Sequence, residues 1–224
     1  MGGHRGEPRK LNWWQESLLL LGLALVTSIV VKAFFMQMFF VPSASMRPEL
    51  IEQDRILVEK ISMWDGEAGR GDVVVFEDPG GWLGATPEPS GFQQVLSVVG
   101  LYPEGGHLVK RVVATGGDQV VCCDNQGRIT VNGVPLDEGD YLREDVRPSE
   151  KQFDVVVPDD AVWVMGDNRS NSQDSRFHLN APGEGTVPLD NVVGKVWAIV
   201  WPTSRIEILE TPPTYEAVPG PETP

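Results

Sequence analysis

Apolar residues run almost unbroken through 18–40, and shorter alternating patterns follow for most of the remaining chain. The first part of that run, "SLLLLGLALVTSIVV" (17–31), is interrupted by Lys32 and resumes as "AFFMQMFF". At about 1.5 Å per helical residue it reaches roughly 34 Å, enough for a hydrocarbon core of about 30 Å. The pattern predicts one transmembrane helix over 16–40, with the stem of Lys32 snorkelling outward. Arg5, Arg9, Lys10, Trp13 and Trp14 precede it. Basic residues favour the cytoplasmic side and tryptophans the interface, so 1–15 is expected inside the cell and everything beyond Phe40 outside. The competing reading is a cleavable signal peptide cut after Ala44. Its apolar region should be shorter, about 7–15 residues, and bulky "FFMQMFFVP" (34–42) crowds the approach to such a cut.

Beyond residue 40 the period changes to that of strands. "DRILVEK" (54–60), "GDVVVFED" (71–78), "HLVKRVVAT" (107–115), "QVVCC" (119–123) and "RITVNGVPL" (128–136) are β-branched runs bounded by turn residues. Asn132-Gly133 predicts a two-residue hairpin, because both residues tolerate positive φ. "FDVVVPDDAVWVMGD" (153–167) reads as strand, turn, strand; "VGKVWAIVW" (193–201) and "RIEIL" (205–209) close the series. The fold class is therefore mainly β: a sheet or barrel-like core with a smaller inserted β module, preceded by the single helix. The Gly/Pro-rich segment 78–107 reads as a surface loop with a short amphipathic helix at 92–101, and 211–224 has the composition of a disordered tail.

Charge removes one class of partner. The 224 residues carry a net charge of −14, and nucleic acid, which needs a basic face, is excluded. Cys122 and Cys123 are adjacent. Neighbouring Cα atoms lie about 3.8 Å apart, below the usual disulfide range of about 4.4–6.8 Å, so a vicinal bridge would be strained, and they read first as two small residues in a strand. C-x-x-C spacing is absent, and neither a metal nor an organic cofactor is expected.

Candidate chemistry begins at "PSASMRPEL" (42–50), where Ser43 and Ser45 follow the helix. A serine nucleophile needs a base. The three histidines, His4, His107 and His178, lack neighbours suggestive of a triad, and His4 falls on the cytoplasmic side. A buried lysine is the other route. Strand alternation puts Leu108, Lys110 and Val112 on one face. If that face is inward, desolvation lowers the pKa of Lys110 from about 10.4 and frees its lone pair. If it is outward, Lys110 is an ordinary surface lysine, and the residues alone leave both open.

"PSASMRPEL", "DRILVEK", "GDVVVF", "LVKRVVATGGD" and "GDNRSNSQDSR" follow one another in this order after the helix. Together they resemble the successive motif boxes of the bacterial type I signal peptidases (leader peptidases), in a style similar to actinobacterial members. The resemblance implies a membrane-anchored serine endopeptidase with a Ser-Lys dyad. Its partners would be signal-peptide-bearing preproteins, cut after small-X-small residues, and the lipid bilayer of the plasma membrane. By position, Ser45 matches the nucleophile, Lys110 the general base, and Ser43 the hydroxyl that joins the Ser45 N–H in the oxyanion hole. Ser172 matches the residue that orients the lysine amine. Asp174 and Arg176 match a supporting ion pair, and Arg111 is expected to join that network. The chain departs from the pattern at Ser170, where an acid is common, at "EQD" (52–54), and at Glu49, where threonine is common. Residues 41–118 and 153–210 would form the catalytic core, with 119–152 inserted. Val41, Pro42 and the "GDVVVF" strand are candidates to line shallow substrate pockets. The alternative is a non-catalytic, anchored extracytoplasmic β-sheet module that binds partners.

Overall fold

The computed structural model describes residues 12–65, 68–84, 106–143, 146–181 and 183–221. The basic residues 5, 9 and 10 and the expected helix at 92–101 lie outside the described residues. Helix α1 spans Trp13–Phe34, 22 residues, or about 33 Å. Asn12 starts it, its N–H bonded by the side chain of Gln15 at 3.0 Å. The apolar window Trp13–Val31 is wholly unburied by the rest of the chain, as befits a helix whose apolar surface must find a partner elsewhere.

The helix does not reach Phe40 as expected. Residues Met36–Phe40 form strand β1, paired antiparallel with β2, Arg55–Glu59, from Met36 opposite Glu59 to Phe40 opposite Arg55. An unbroken apolar run does not distinguish helix from buried strand, and here the ladder with β2 decides.

The remaining strands are β3 (Val73–Glu77), β4 (His107–Thr115), β5 (Gln119–Cys122), β6 (Ile129–Val131), β7 (Val134–Pro135), β8 (Phe153–Val156), β9 (Ala161–Met165), β10 (Val187–Pro188), β11 (Val192–Trp201) and β12 (Glu207–Ile208). The large antiparallel sheet runs β1-β2-β11-β3-β4-β9-β10, with β12 on β11; the small sheet runs β7-β6-β5-β8. The fold is mainly β with one amino-terminal apolar helix. Asn132 and Gly133 have φ of 49° and 77° and join β6 to β7, with Val131 paired to Val134, the geometry of a primed turn.

Two expected boundaries move. Strand β8 pairs with β5, so the inserted sheet extends past residue 152. It is not a separate body: Val120, Ile129, Val131, Phe153 and Val155 share one core with Val113, Trp163 and Met165 of β4 and β9. The segment after residue 210 is folded back. Tyr215 and Val218 are buried in that same core, Thr211 Oγ1 donates to Asp72 at 3.0 Å, and the Val218 carbonyl accepts from Arg70 at 3.1 Å. Polar, Pro-rich composition concealed two apolar anchors. Cys122 and Cys123, read first as two small residues in a strand, form a vicinal disulfide.

Asp118 holds these parts together. Fully buried, it accepts from Arg70 Nε at 2.7 Å, Asn132 Nδ2 at 2.8 Å and the Thr115 N–H at 2.8 Å. Burial acts to raise its carboxyl, and these donors hold it below its ordinary value. Asp118→Ala strands the Arg70 charge, and denaturant unfolding in detergent should register a loss of about 3 kcal/mol. An unchanged midpoint would remove Asp118 from this role.

Candidate active site

Strand β4 runs down the middle of the large sheet, between β3 and β9, and carries Lys110 and Arg111. Lys110 is 3% exposed. Its Nζ donates to Ser45 Oγ at 2.8 Å and to the Val109 carbonyl at 2.8 Å. The chain thus brings together two residues 65 positions apart. Burial lowers the Lys110 amine to about 8; the negative charges of Asp174 and Asp167 pull it back up, and Arg176 lowers it further.

Ser45 sits in a 3-10 turn, Ala44–Met46. Met46, with Val41 and Leu50, is buried against Ile56, Val73 and Val75, which anchors the turn to the sheet. From above, Asn168 clamps it: its N–H donates to the Ser45 carbonyl at 3.0 Å and its Nδ2 to the Ala44 carbonyl at 2.9 Å. Ser43 Oγ lies 3.4 Å from Ser45 Oγ and is exposed. Gly166 passes so close that a Cβ there would overlap Ser172 Oγ and the Ser45 carbonyl.

The charged groups around the amine are paired off. Arg111 donates from Nε and Nη2 to Asp167 at 2.9 and 2.7 Å and from Nη1 to the Gly71 carbonyl at 2.8 Å. Burial nevertheless pushes Asp167 up, with the Arg111 charge opposing it. Arg176 donates to both oxygens of Asp174, at 2.8 and 2.7 Å, and the Gly166 N–H adds a third bond at 3.0 Å. Burial favours the protonated Asp174, but these donors outweigh it and hold the carboxyl below its usual value. Glu49, at its departing position, lies 3.7 Å from Arg111.

One expected contact is absent. Ser172 is buried beside Asp174, whose charge it helps to stabilise, but its Oγ makes no hydrogen bond of ordinary geometry. The second partner of the Lys110 amine is the Val109 carbonyl. The expected pocket walls also change: Val41 and Val73 to Phe76 are buried in the core, leaving Pro42 exposed. Two clefts among the described residues, one of about 570 Å³ lined by Arg70, Thr115, Asp159 and Tyr215, the other of about 380 Å³ lined by Glu59, Asp72, Lys195 and Trp197, include neither Ser45 nor Lys110. Ser45 itself is half-buried. His107 packs on Phe39 and His178 stacks on Trp82, 4.4 Å between ring centres; neither contacts Ser45.

Sequence reasoning quoted Asp167, Asn168 and Arg169 within "GDNRSNSQDSR" but gave them no role. It missed Glu138 and Tyr141 of the inserted module altogether. Arg169 is 3% exposed. It donates to Glu138 Oε2 at 3.0 Å, the Pro148 carbonyl at 2.9 Å and the Gly166 carbonyl at 3.1 Å. The Tyr141 ring lies 4.5 Å from the Arg111 guanidinium carbon. An arginine within a polar turn is the sequence signal; its distant carboxylate has none.

A serine hydroxyl touching a buried, pKa-lowered amine can perform nucleophilic acyl chemistry. Comparison with known proteins gives the family. Residues 14–201 match the family model described as "Signal peptidase, peptidase S26", and the chain belongs to the signal peptidase family. It is 38% identical over 225 residues to signal peptidase I of Mycobacterium tuberculosis, covering 88% of this chain and 76% of that one. It is 36% identical over 233 residues to the probable signal peptidase I of Mycobacterium leprae, covering 89% and 80%. Signal peptidase I of Leptolyngbya laminosa is 32% identical over 210 residues, covering 93% and 90%.

Gly166→Ala should push the Ser45 backbone away from Lys110 and lower peptidase turnover by about a hundredfold, since misplacement near 1 Å costs that much. Wild-type turnover in a folded Gly166→Ala variant would mean that this close approach is dispensable.

Proposed function

We propose that this signal peptidase family member is a membrane-anchored serine endopeptidase that removes signal peptides from exported preproteins through a Ser45–Lys110 dyad. The observation that carries the reading is the 2.8 Å contact between Ser45 Oγ and a buried amine whose other partner is a neutral carbonyl. In the uncharged form, Lys110 donates an N–H to Val109 and accepts the Ser45 hydroxyl proton on its lone pair. Oγ then bonds to the scissile carbonyl carbon. The Ser45 N–H, early in its turn and so without an intrahelical acceptor, and the Ser43 hydroxyl stabilise the oxyanion. The ammonium of Lys110 returns the proton to the leaving amine as the C–N bond breaks. Water, deprotonated by the same amine, then attacks the acyl-enzyme and frees Ser45. Asp174–Arg176 and Arg111–Asp167 support the site by keeping carboxylates off the amine, and no metal or organic cofactor enters the cycle.

The substrate would be an extended chain with small-X-small residues before the cut, bound by strand addition beside the exposed Pro42 and Ser43. Helix α1 would span the plasma membrane once, with the amino terminus cytoplasmic. Exposed apolar side chains support contact with the bilayer: Met38 and Phe40 on β1, Trp201 on β11 and Ile208 on β12 are about half exposed, with Leu57 between Met38 and β11 and Arg55 between Phe40 and Trp201. The tether is longer than an intact span to residue 40 would give. Ser45 lies eleven positions beyond Phe34, at most about 36 Å when extended.

Cleavage of a preprotein in detergent tests the dyad. Ser45→Ala and Lys110→Met should each lower turnover by at least about a thousandfold; retained cutting by either sinks the mechanism. Below a pH of about 8 the wild-type rate should rise tenfold per unit as Lys110 loses its proton. A pH-independent rate between 5 and 8 would contradict a lysine base.

Stability has its own sign. The folded pKa of Lys110 lies below the unfolded one, so the folded state binds fewer protons between about 8 and 10.5. Stability therefore rises across that window, and below it the charged amine costs about 3 kcal/mol. Lys110→Met should accordingly raise Tm at pH 7 while abolishing activity; a lower Tm would argue that the amine is not desolvated.

A further inference from the structure

We infer that Tyr215, on the segment folded back after β12, is a positioning residue for the proposed dyad, acting through Tyr141 and Glu138 on the loop that clamps Ser45. The inference rests on the dyad reading. Tyr215 is 5% and Tyr141 2% exposed, and their hydroxyls lie 2.9 Å apart. Tyr141 donates to Glu138 Oε1 at 2.7 Å, which fixes the direction of the chain: Tyr215 donates to Tyr141. Glu138 in turn accepts from Arg169, and Arg169 holds the Gly166 carbonyl. A second path leaves the Tyr141 ring, which stacks on Arg111, the partner of Asp167. Both paths converge on residues 166–169, whose Asn168 fixes the Ala44 and Ser45 carbonyls. Three separate stretches of chain thus meet under one loop: the inserted module, the polar box and the carboxy-terminal segment.

Both tyrosines stay neutral at working pH, because burial raises each above its ordinary value. The hydroxyl of Tyr215 is therefore a fixed donor. Removing it takes away one of the two partners of the Tyr141 hydroxyl, weakens the hold on Glu138 and Arg169, and lets the clamp on Ser45 slacken. Lys110, faced by Ser45 and by the charges of Asp174, Asp167 and Arg176, depends on that clamp to stay dry. Water admitted there raises the amine toward its free value and shrinks its neutral fraction.

The test is full-length Tyr215→Phe beside wild type and Ser45→Ala, assayed on a preprotein in detergent from pH 6 to 10, with Tm measured for each. Tyr215→Phe keeps the ring and its packing. Expected is a roughly threefold to tenfold lower kcat at pH 7 with unchanged KM, recovered as pH passes 9, since each unit of upward pKa displacement lowers the neutral fraction about tenfold. Glu138→Gln, which keeps the shape but weakens the bond to Arg169, should move the profile the same way. The inference is overturned if Ser45→Ala is inactive while Tyr215→Phe matches wild type, or loses rate equally at every pH in step with a lower Tm. An active Ser45→Ala would instead reject the dyad itself.

Discussion

A primary amine held out of water is the constraint around which this molecule is arranged. Lys110 is buried on the central strand β4, and the free energy it forfeits as an ammonium is what brings its pKa down to about 8, within a unit of neutrality. Two carboxylates close enough to affect it, Asp167 and Asp174, would undo this if they bonded to the amine directly. Each is instead bound bidentately by an arginine, so their charge reaches Lys110 only as a partial opposing field.

The same arrangement explains why so much of the chain is committed to one small turn. Ser45 is anchored below by Met46 in an apolar core and above by Asn168 on its carbonyl. The loop bearing Asn168 is fastened in turn by a buried ion pair from Arg169 to Glu138 of the inserted module, which the hydroxyls of Tyr141 and Tyr215 extend to the carboxy-terminal segment. Buried pairs of this kind contribute little net stability, because desolvation offsets attraction. Their consequence here is geometric: a fixed distance between a hydroxyl and an amine that come from remote positions in sequence.

Most of the sheet was legible because its strands carry β-branched residues between Gly, Asp and Asn turns, and Asn132-Gly133 named its own hairpin. What misled was apolar continuity: residues 36–40 are as hydrophobic as the helix before them, and only the ladder with β2 makes them a strand. Composition misled at the carboxy terminus, where Tyr215 and Val218 are two anchors in a polar, Pro-rich stretch. Ser45, Lys110, Arg111, Asp174 and Arg176, singled out by motif order, lie together. Ser172 Oγ is without a hydrogen-bond partner among the described residues, and the second partner of the Lys110 amine is the Val109 carbonyl. Glu138 and Tyr141 were invisible, because nothing local distinguishes an acid or a tyrosine destined to meet an arginine some thirty residues away.

Family membership gives peptidase activity, and the proposed dyad turns on one ionisation. The ionisation of Lys110 can be read without turnover, by NMR of the full-length protein in detergent with labelled lysine side chains and Lys110 assigned by its loss in Lys110→Met. The account predicts a titration with an apparent pKa of about 8. A midpoint at the free-lysine value near 10.4 would contradict it.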